Sequence, residues 1–167
     1  MCIGQNYLYI RISKLHHMRY LLAFLPFLVS AFTTRAQTVK PLIDAQSYVF
    51  VAASVQPTGG SERRLTINSY TFKVTKNQIE SNLPYIGTSS VVPTDAVESA
   101  LVFTADKFKY TNTPGKNDGW RIVIKPKVAG YLDQINLTIS ADGFAVLHAS
   151  FNGLENISFT GQVIAAQ

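Results

Sequence analysis

The stretch QINLTISADGFAVLHASFNGLENISFTGQVI, residues 134–164, predicts three consecutive antiparallel strands. Asp142-Gly143 and Asn152-Gly153 separate the apolar runs, and such dipeptides are typical of two-residue type I′ turns, whose central residues both need positive φ. Turns of this length would give the sheet one apolar face and one face of small and polar residues, as in a sheet that covers a core on one side. The predicted apolar face contains the rows Ile139–Val146–Phe159 and Leu137–His148–Ile157.

The rest of the chain after Ser47 has the same character. Short runs of β-branched and aromatic residues alternate with Gly, Asn, Asp and Pro, which is typical of antiparallel β domains. The runs are Tyr48–Val55, Leu65–Thr75, Gln78–Leu83, Ala100–Phe103, Lys107–Asn112, Trp120–Lys127, Gln134–Ser140, Phe144–Phe151 and Asn156–Ile164. Lys76-Asn77 and Asp118-Gly119 are predicted to form the turns of two further hairpins, the first of which would pair Val74 with Ile79.

These runs predict an all-β fold, an antiparallel meander closed as a sandwich or a small barrel. Residues 37–47 could add one short N-terminal helix or remain an irregular lead-in, and residues 88–99 have the composition of a surface loop. The predicted core contains seven phenylalanines together with Trp120. They are Phe50, Phe72, Phe103, Phe108, Phe144, Phe151 and Phe159.

The N-terminal residues 1–36 are predicted to be a leader. From Met18 it has a basic start, an apolar run over residues 20–32 and small residues up to Ala36, which is the pattern of a secretory signal cut before Gln37. The apolar run is shorter than the roughly 20 residues that span a bilayer. Residues 1–17 add nothing to this pattern, which allows Met18 to be the true start. We therefore expect a single β domain, residues 37–167, with no transmembrane segment, in the periplasm or secreted.

Charge and cysteine content exclude several functions. The whole chain has a net charge of +5, but four of its 15 basic residues precede Gln37, so the remainder carries 11 bases against 10 acids and does not suggest nucleic-acid binding. Its one cysteine, Cys2, lies in the leader, so the β domain has no disulfide, thiolate metal site or cysteine nucleophile. We predict no metal site and no cofactor.

Five short segments together resemble one protein family. The segments are VFVAASVQPTGG (49–60), LT (65–66), LPYIG (83–87), GWRI (119–122) and ISFTG (157–161). In this order they are similar to the secreted bacterial proteins of the family called domain of unknown function 4251. The resemblance implies an exported, compact β-rich domain and supplies no activity. Residues 88–99 depart from the glycine-rich, aromatic stretch expected at that place in the family.

Few residues of the β domain could support catalysis. His148 is its only imidazole, and the predicted row places it between Leu137 and Ile157, without a carboxylate to orient it. We therefore predict no catalytic residue and favour a domain that is not an enzyme.

Some residues are candidates for contact with a ligand or partner. The segment from Pro84 through Tyr85 to Gly87 either ends a strand with Tyr85 capping the core, or forms a contact loop. His148 and Trp120 complete the candidate set.

The sequence favours an exported, non-enzymatic β domain that binds a protein partner or an apolar small molecule, the latter inside a closed barrel. The alternatives are a structural or envelope-associated domain without a small ligand and, third, a hydrolase.

Overall fold

A computed structural model describes residues 39–66, 69–87 and 100–166, so the predicted leader and the predicted loop at 88–99 lie outside the described residues. Within these ranges one short helix precedes ten strands. The elements are α1 (Val39–Ala45), β1 (Tyr48–Pro57), β2 (Arg63–Arg64), β3 (Thr71–Val74), β4 (Ile79–Asn82), β5 (Val102–Ala105), β6 (Phe108–Pro114), β7 (Trp120–Pro126), β8 (Leu132–Ile139), β9 (Phe144–Phe151) and β10 (Ile157–Ala165). The predicted all-β class and the short helix are confirmed.

All ten strands belong to one antiparallel sheet in the order β5-β4-β3-β1-β10-β9-β8-β7-β6, with β2 paired to β1. Strands that follow one another in the chain are neighbours, with two exceptions: β2 and β3 each pair with β1, and β5 and β6 occupy opposite edges. Only Asp106 and Lys107 connect these two edges, and the Lys107 carbonyl accepts a hydrogen bond from the Lys127 amide at 2.8 Å. Such a short connection can span only about 10 Å. The sheet must therefore curl back on itself, which makes it a nearly closed barrel with a seam between β5 and β6.

The predicted register of the last three strands is wrong by one residue in both hairpins. Leu137 pairs with Leu147, and Asn136 and Ser158 are the partners of His148. The faces of β8 and β10 are as predicted, but β9 is inverted, so that Ala145, Leu147 and Ala149 face the core and His148 faces outward.

The local reason is the length of the loops. Positive φ occurs at Gly143 and Gly153 but not at the residues before them, which excludes type I′ turns. The β8–β9 loop has three residues: the Ser140 amide donates to the Phe144 carbonyl, and the Gly143 amide donates to the Ser140 carbonyl. Glycine in the left-handed region at the third position is typical of such loops.

The other two predicted hairpins form. Val74 pairs with Ile79 as predicted, and β6 pairs with β7, but that turn is centred on Asn117 and Asp118, which both have positive φ, instead of on Asp118-Gly119.

The inward side chains of the strands form one continuous hydrophobic core. Three of the predicted phenylalanines are fully buried and three more pack against the core, whereas Phe144 is 47% exposed because the inversion of β9 turns it outward. The largest fully buried side chains include Tyr48, Phe50, Phe72, Phe159, Ile122 and Leu137.

Helix α1 covers one end of the barrel. Val39 and Ile43, one turn apart, are buried, and Lys40 forms an ion pair with Asp44 at 2.9 Å on the exposed side. The helix ends where Gln46 adopts a φ of 48°. The Ser47 amide then donates to the Leu42 carbonyl, which is the pattern of a Schellman cap.

Candidate functional site

Tyr85 closes the end of the barrel opposite α1. Its side chain is buried, its hydroxyl donates to the Glu155 backbone carbonyl at 2.9 Å, and its ring meets Phe151 edge-on at 5.2 Å. Burial, reinforced by the charge of Glu155, raises the pKa of the Tyr85 hydroxyl. The hydroxyl therefore stays protonated and remains a donor to the Glu155 carbonyl. The surroundings support the capping interpretation of this residue.

Pro84 and Gly87, the neighbours of Tyr85 in the sequence, lie at the same end of the barrel. A Cβ added to Gly87 would lie 2.5 Å from the Tyr85 hydroxyl oxygen, so the chain approaches the ring closely there. Pro84 is half-buried just beyond β4, where the missing amide costs no ladder hydrogen bond. Contact of this segment with a ligand stays a prediction.

Trp120 lies at the α1 end of the barrel. It begins β7, pairs with Pro114 and Ile139, and is half-buried. Together with Lys40 and the β6–β7 turn it lines a surface depression of about 380 Å³.

His148 lies in a third place, on the outer face of the sheet. Its Nδ1 is 2.8 Å from the Ser158 hydroxyl oxygen, and the imidazole is half-buried. The fold therefore brings together only Pro84, Tyr85 and Gly87 of the candidate set. Among the described residues, no group of three or more His, Cys, Asp or Glu side chains is placed to hold a metal ion.

The outer face also carries a cluster of hydroxyl groups that was not predicted from the sequence. The Ser54 hydroxyl lies 2.5 Å from Glu62 Oε1 and 2.6 Å from the Thr160 hydroxyl. Since Ser54 donates its one proton to Glu62, Thr160 donates to Ser54. A β-bulge between Ala52 and Ser54 turns Ser54 outward, and no sequence pattern signals that bulge.

A groove of about 650 Å³ lies on the outer face of strands β10, β1, β3, β4 and β5. Its apolar floor is formed by Val49 and Val51 of β1, and Val102 and Ile164 lie on either side. At the β5 edge the half-buried Phe103 also contributes.

The groove contains two charged side chains. Lys73 and Glu80 are cross-strand partners in its centre. Lys40 and Asp44 form the one ion pair among the described residues, so Lys73 and Glu80 are not ion-paired within that part of the chain. Both charges are available to a bound molecule.

This groove was not predicted from the sequence, although one signal was present. Residues 48–51 read Tyr-Val-Phe-Val without alternation, which is typical of a strand that is covered on both faces. Nothing in the sequence shows which strands would join β1 to form the groove, because the sheet order brings them together.

The part of the chain that the structure describes contains no helix long and apolar enough to cross a membrane.

Comparisons with known proteins agree with the fold. No curated protein matches the chain. The crystal structure of a DUF4251 family protein from Bacteroides eggerthii DSM 20697 superposes with a TM-score of 0.57 at 15% sequence identity, covering 78% of this chain and 87% of that one. At this identity the likeness shows the fold alone. The model of the family described as domain of unknown function (DUF4251) matches residues 32–163. The chain therefore belongs to the DUF4251 family, as the five segments quoted above indicated.

Proposed function

We propose that this protein is an exported, non-enzymatic domain that binds a protein partner through the outer groove. The observation that carries the proposal is the position of the exposed apolar side chains. Val102, Phe144 and Ile164 are the large hydrophobic residues that the described chain exposes, at 52%, 47% and 39%. All three lie on the outer face of β9, β10 and β5, in or beside the groove.

The sheet register makes these residues part of one surface. Ile164 pairs with Val49, and Phe144 pairs with Gln162, which in turn pairs with Val51. The outer face of an antiparallel sheet around a filled core is normally polar. A connected apolar surface there is typical of a protein interaction site.

A protein fits the groove better than a small apolar molecule does. The apolar side chains that would line an internal ligand cavity contact one another in the core. The groove is instead open to the outside, and Lys73 and Glu80 offer a cation and an anion side by side. A polypeptide can satisfy both charges while it covers Val49 and Val51.

The surroundings of His148 support a non-enzymatic function. The imidazole ring forms a hydrogen bond with the Ser158 hydroxyl, but no carboxylate among the described residues forms a hydrogen bond with the ring. A serine nucleophile needs an oriented base and donors for the oxyanion, and the flat face around Ser158 offers no such arrangement. The hydrolase alternative therefore has little support.

Export is part of the proposal. Its support is the basic, apolar and small-residue order from Met18 to Ala36.

Site-specific photo-crosslinking in the source cell tests the proposal. A photoreactive phenylalanine analogue is placed at Val102 or Ile164, and Lys116, exposed in the β6–β7 turn, serves as the control. We expect the first two positions to give an adduct of one discrete mass and Lys116 to give none. Equal labelling from all three positions, or adducts from none, would instead support a structural domain without a partner at the groove.

A further inference from the structure

Four lysines lie together at one end of the β6–β7 pair, Lys109 and Lys125 within the strands and Lys107 and Lys127 directly beside them. None of the four lines the groove. Lys109 and Lys125 are direct cross-strand partners. The Lys127 amide donates to the Lys107 carbonyl at 2.8 Å, so these two lysines extend the same ladder. All four side chains are exposed, and the two-residue period of a strand puts them on the outer face.

This arrangement breaks a rule of sheet stability. Like charges directly opposite each other destabilise an antiparallel pair, and here two such pairs follow one another. No lysine of this cluster forms an ion pair with another described residue. The carboxylate next to the cluster in the sequence, Asp106, accepts a hydrogen bond from the Gln78 side-chain Nε2 at 2.8 Å.

Protection of the sheet edge does not explain the cluster fully. Lysines on edge strands do prevent edge-to-edge pairing, and β6 is an edge strand. However, Lys125 belongs to β7, which is paired on both sides, and Lys127 follows directly after that strand. Charge repulsion that the fold does not need indicates a role in binding.

The outer face next to the cluster is rich in amides and hydroxyls. Gln134 and Ser150 are cross-strand partners on β8 and β9, and Asn136 pairs with His148 in the following row. These side chains are half-buried and can both donate and accept hydrogen bonds. Arg121 adds a further exposed cation on β7.

We infer that the outer face of β6–β9 is a binding site for an acidic polysaccharide. The lysines complement its carboxylate or sulfate groups, and the amide and hydroxyl side chains complement its hydroxyl groups. A nucleic acid fits less well, because Tyr110 and Trp120 of the same strands do not lie on the outer face and cannot stack on bases. This site is separate from the groove and does not depend on the proposed function.

Affinity electrophoresis of the purified protein at low ionic strength tests the inference. The gel contains polygalacturonate, or dextran as the neutral comparison. We expect retardation by polygalacturonate only, and a loss of at least about tenfold in affinity for the Lys109→Gln/Lys125→Gln double variant, which removes two charge-assisted contacts. The Lys76→Gln/Lys116→Gln variant removes the same charge from two turns and should bind as the wild type does.

Further measurements distinguish sugar recognition from general charge attraction. Asn136→Leu keeps every charge and should still weaken binding to polygalacturonate. The Lys109→Gln/Lys125→Gln variant lacks the repulsion between these two side chains, so its thermal unfolding temperature should equal or exceed that of the wild type. This measurement checks that the variant is folded. The inference is overturned if polygalacturonate does not bind, or if both double variants weaken binding equally. It is also overturned if duplex DNA or phosphatidylglycerol vesicles bind as tightly as polygalacturonate.

Discussion

The hydroxyl oxygens of Tyr48 and Tyr110 lie 3.5 Å apart. Tyr48 is fully buried on β1, in the middle of the sheet, and Tyr110 is half-buried on the edge strand β6. This contact links the two strands across the barrel interior. It therefore helps to hold the edge at the seam, where the described strands show no ladder between β5 and β6.

Alkaline pH should weaken the fold through these two tyrosines. Burial raises the pKa of Tyr48 well above 10.0, with a further contribution from Tyr110, and burial also raises the pKa of Tyr110. Above a pH of about 10 the unfolded chain loses these protons first, so the folded state holds more protons and its stability falls as pH rises. The loss should reach about 1.4 kcal/mol per pH unit for a tyrosine that stays protonated.

Tyr48→Phe should flatten this decline, because the variant has no phenol to ionise at that position. Urea denaturation at neutral and alkaline pH measures the slope, and phenolate absorbance reports how many tyrosines ionise in the folded protein. Parallel loss of stability in the wild type and the variant would show that Tyr48 does not control the alkaline transition.

Gly161→Ala should destabilise the protein by about 3 kcal/mol or more. A Cβ at Gly161 would collide with the Val51 backbone carbonyl in the β1–β10 pair, where neither strand can move freely. Gly59→Ala is the matched control, since its nearest neighbour is the flexible Glu155 side chain at 3.2 Å. Guanidinium denaturation of both variants gives the comparison, and equal stabilities would mean that the two strands are not packed this closely.

The sequence specified the strands better than their register. Asp142-Gly143 does mark a turn, but the Asp142 side chain accepts a hydrogen bond from the Phe144 amide at 3.1 Å and stabilises a loop of three residues. The β9–β10 connection also differs from two residues by an odd number, so β10 is displaced by two residues and keeps its predicted face, with Gly161 instead of Phe159 in the row of Ile139. Composition alone cannot distinguish these loops, because both kinds need glycine at positive φ.

Tyr85 variants should separate a packing role from ligand contact. Tyr85→Phe removes the hydrogen bond to the Glu155 carbonyl and should cost about 1 kcal/mol, whereas Tyr85→Ala leaves a cavity at Phe151 and should cost about 3–5 kcal/mol. Thermal denaturation gives both values. Full stability of Tyr85→Ala would favour the contact-loop interpretation.

His148→Leu should change stability by less than about 1 kcal/mol, because water can replace the ring at the half-buried Ser158 hydroxyl. Chemical denaturation measures this difference. A loss several times larger would indicate that the imidazole supports the packing of β9 against β10.

The candidate residues were predictable as a group only where they are close in sequence. Pro84, Tyr85 and Gly87 lie in one segment, so the fold keeps them together. The contact between His148 and Ser158 depends on the register, which the loop lengths decide. The four lysines could be counted in the sequence, but their pairing depends on the β6–β7 hairpin register.

The exported protein should begin at Gln37. The small residues Thr34 and Ala36 fit the sites before the cut. Intact-mass measurement of protein from the extracytoplasmic fraction identifies the N-terminus, and a chain that retains residues 1–36 in a membrane fraction would contradict export.

The size of the native complex in gently lysed source cells tests the central claim most directly. The Val102→Glu/Ile164→Glu variant places two charges on the apolar groove, while both side chains stay exposed, so the fold should be retained. We expect the wild-type protein to migrate on native gels above the mass of the free chain and the variant to migrate as the free chain, with equal unfolding temperatures. A wild-type protein that migrates alone, or a variant that keeps the complex, would contradict partner binding at the groove.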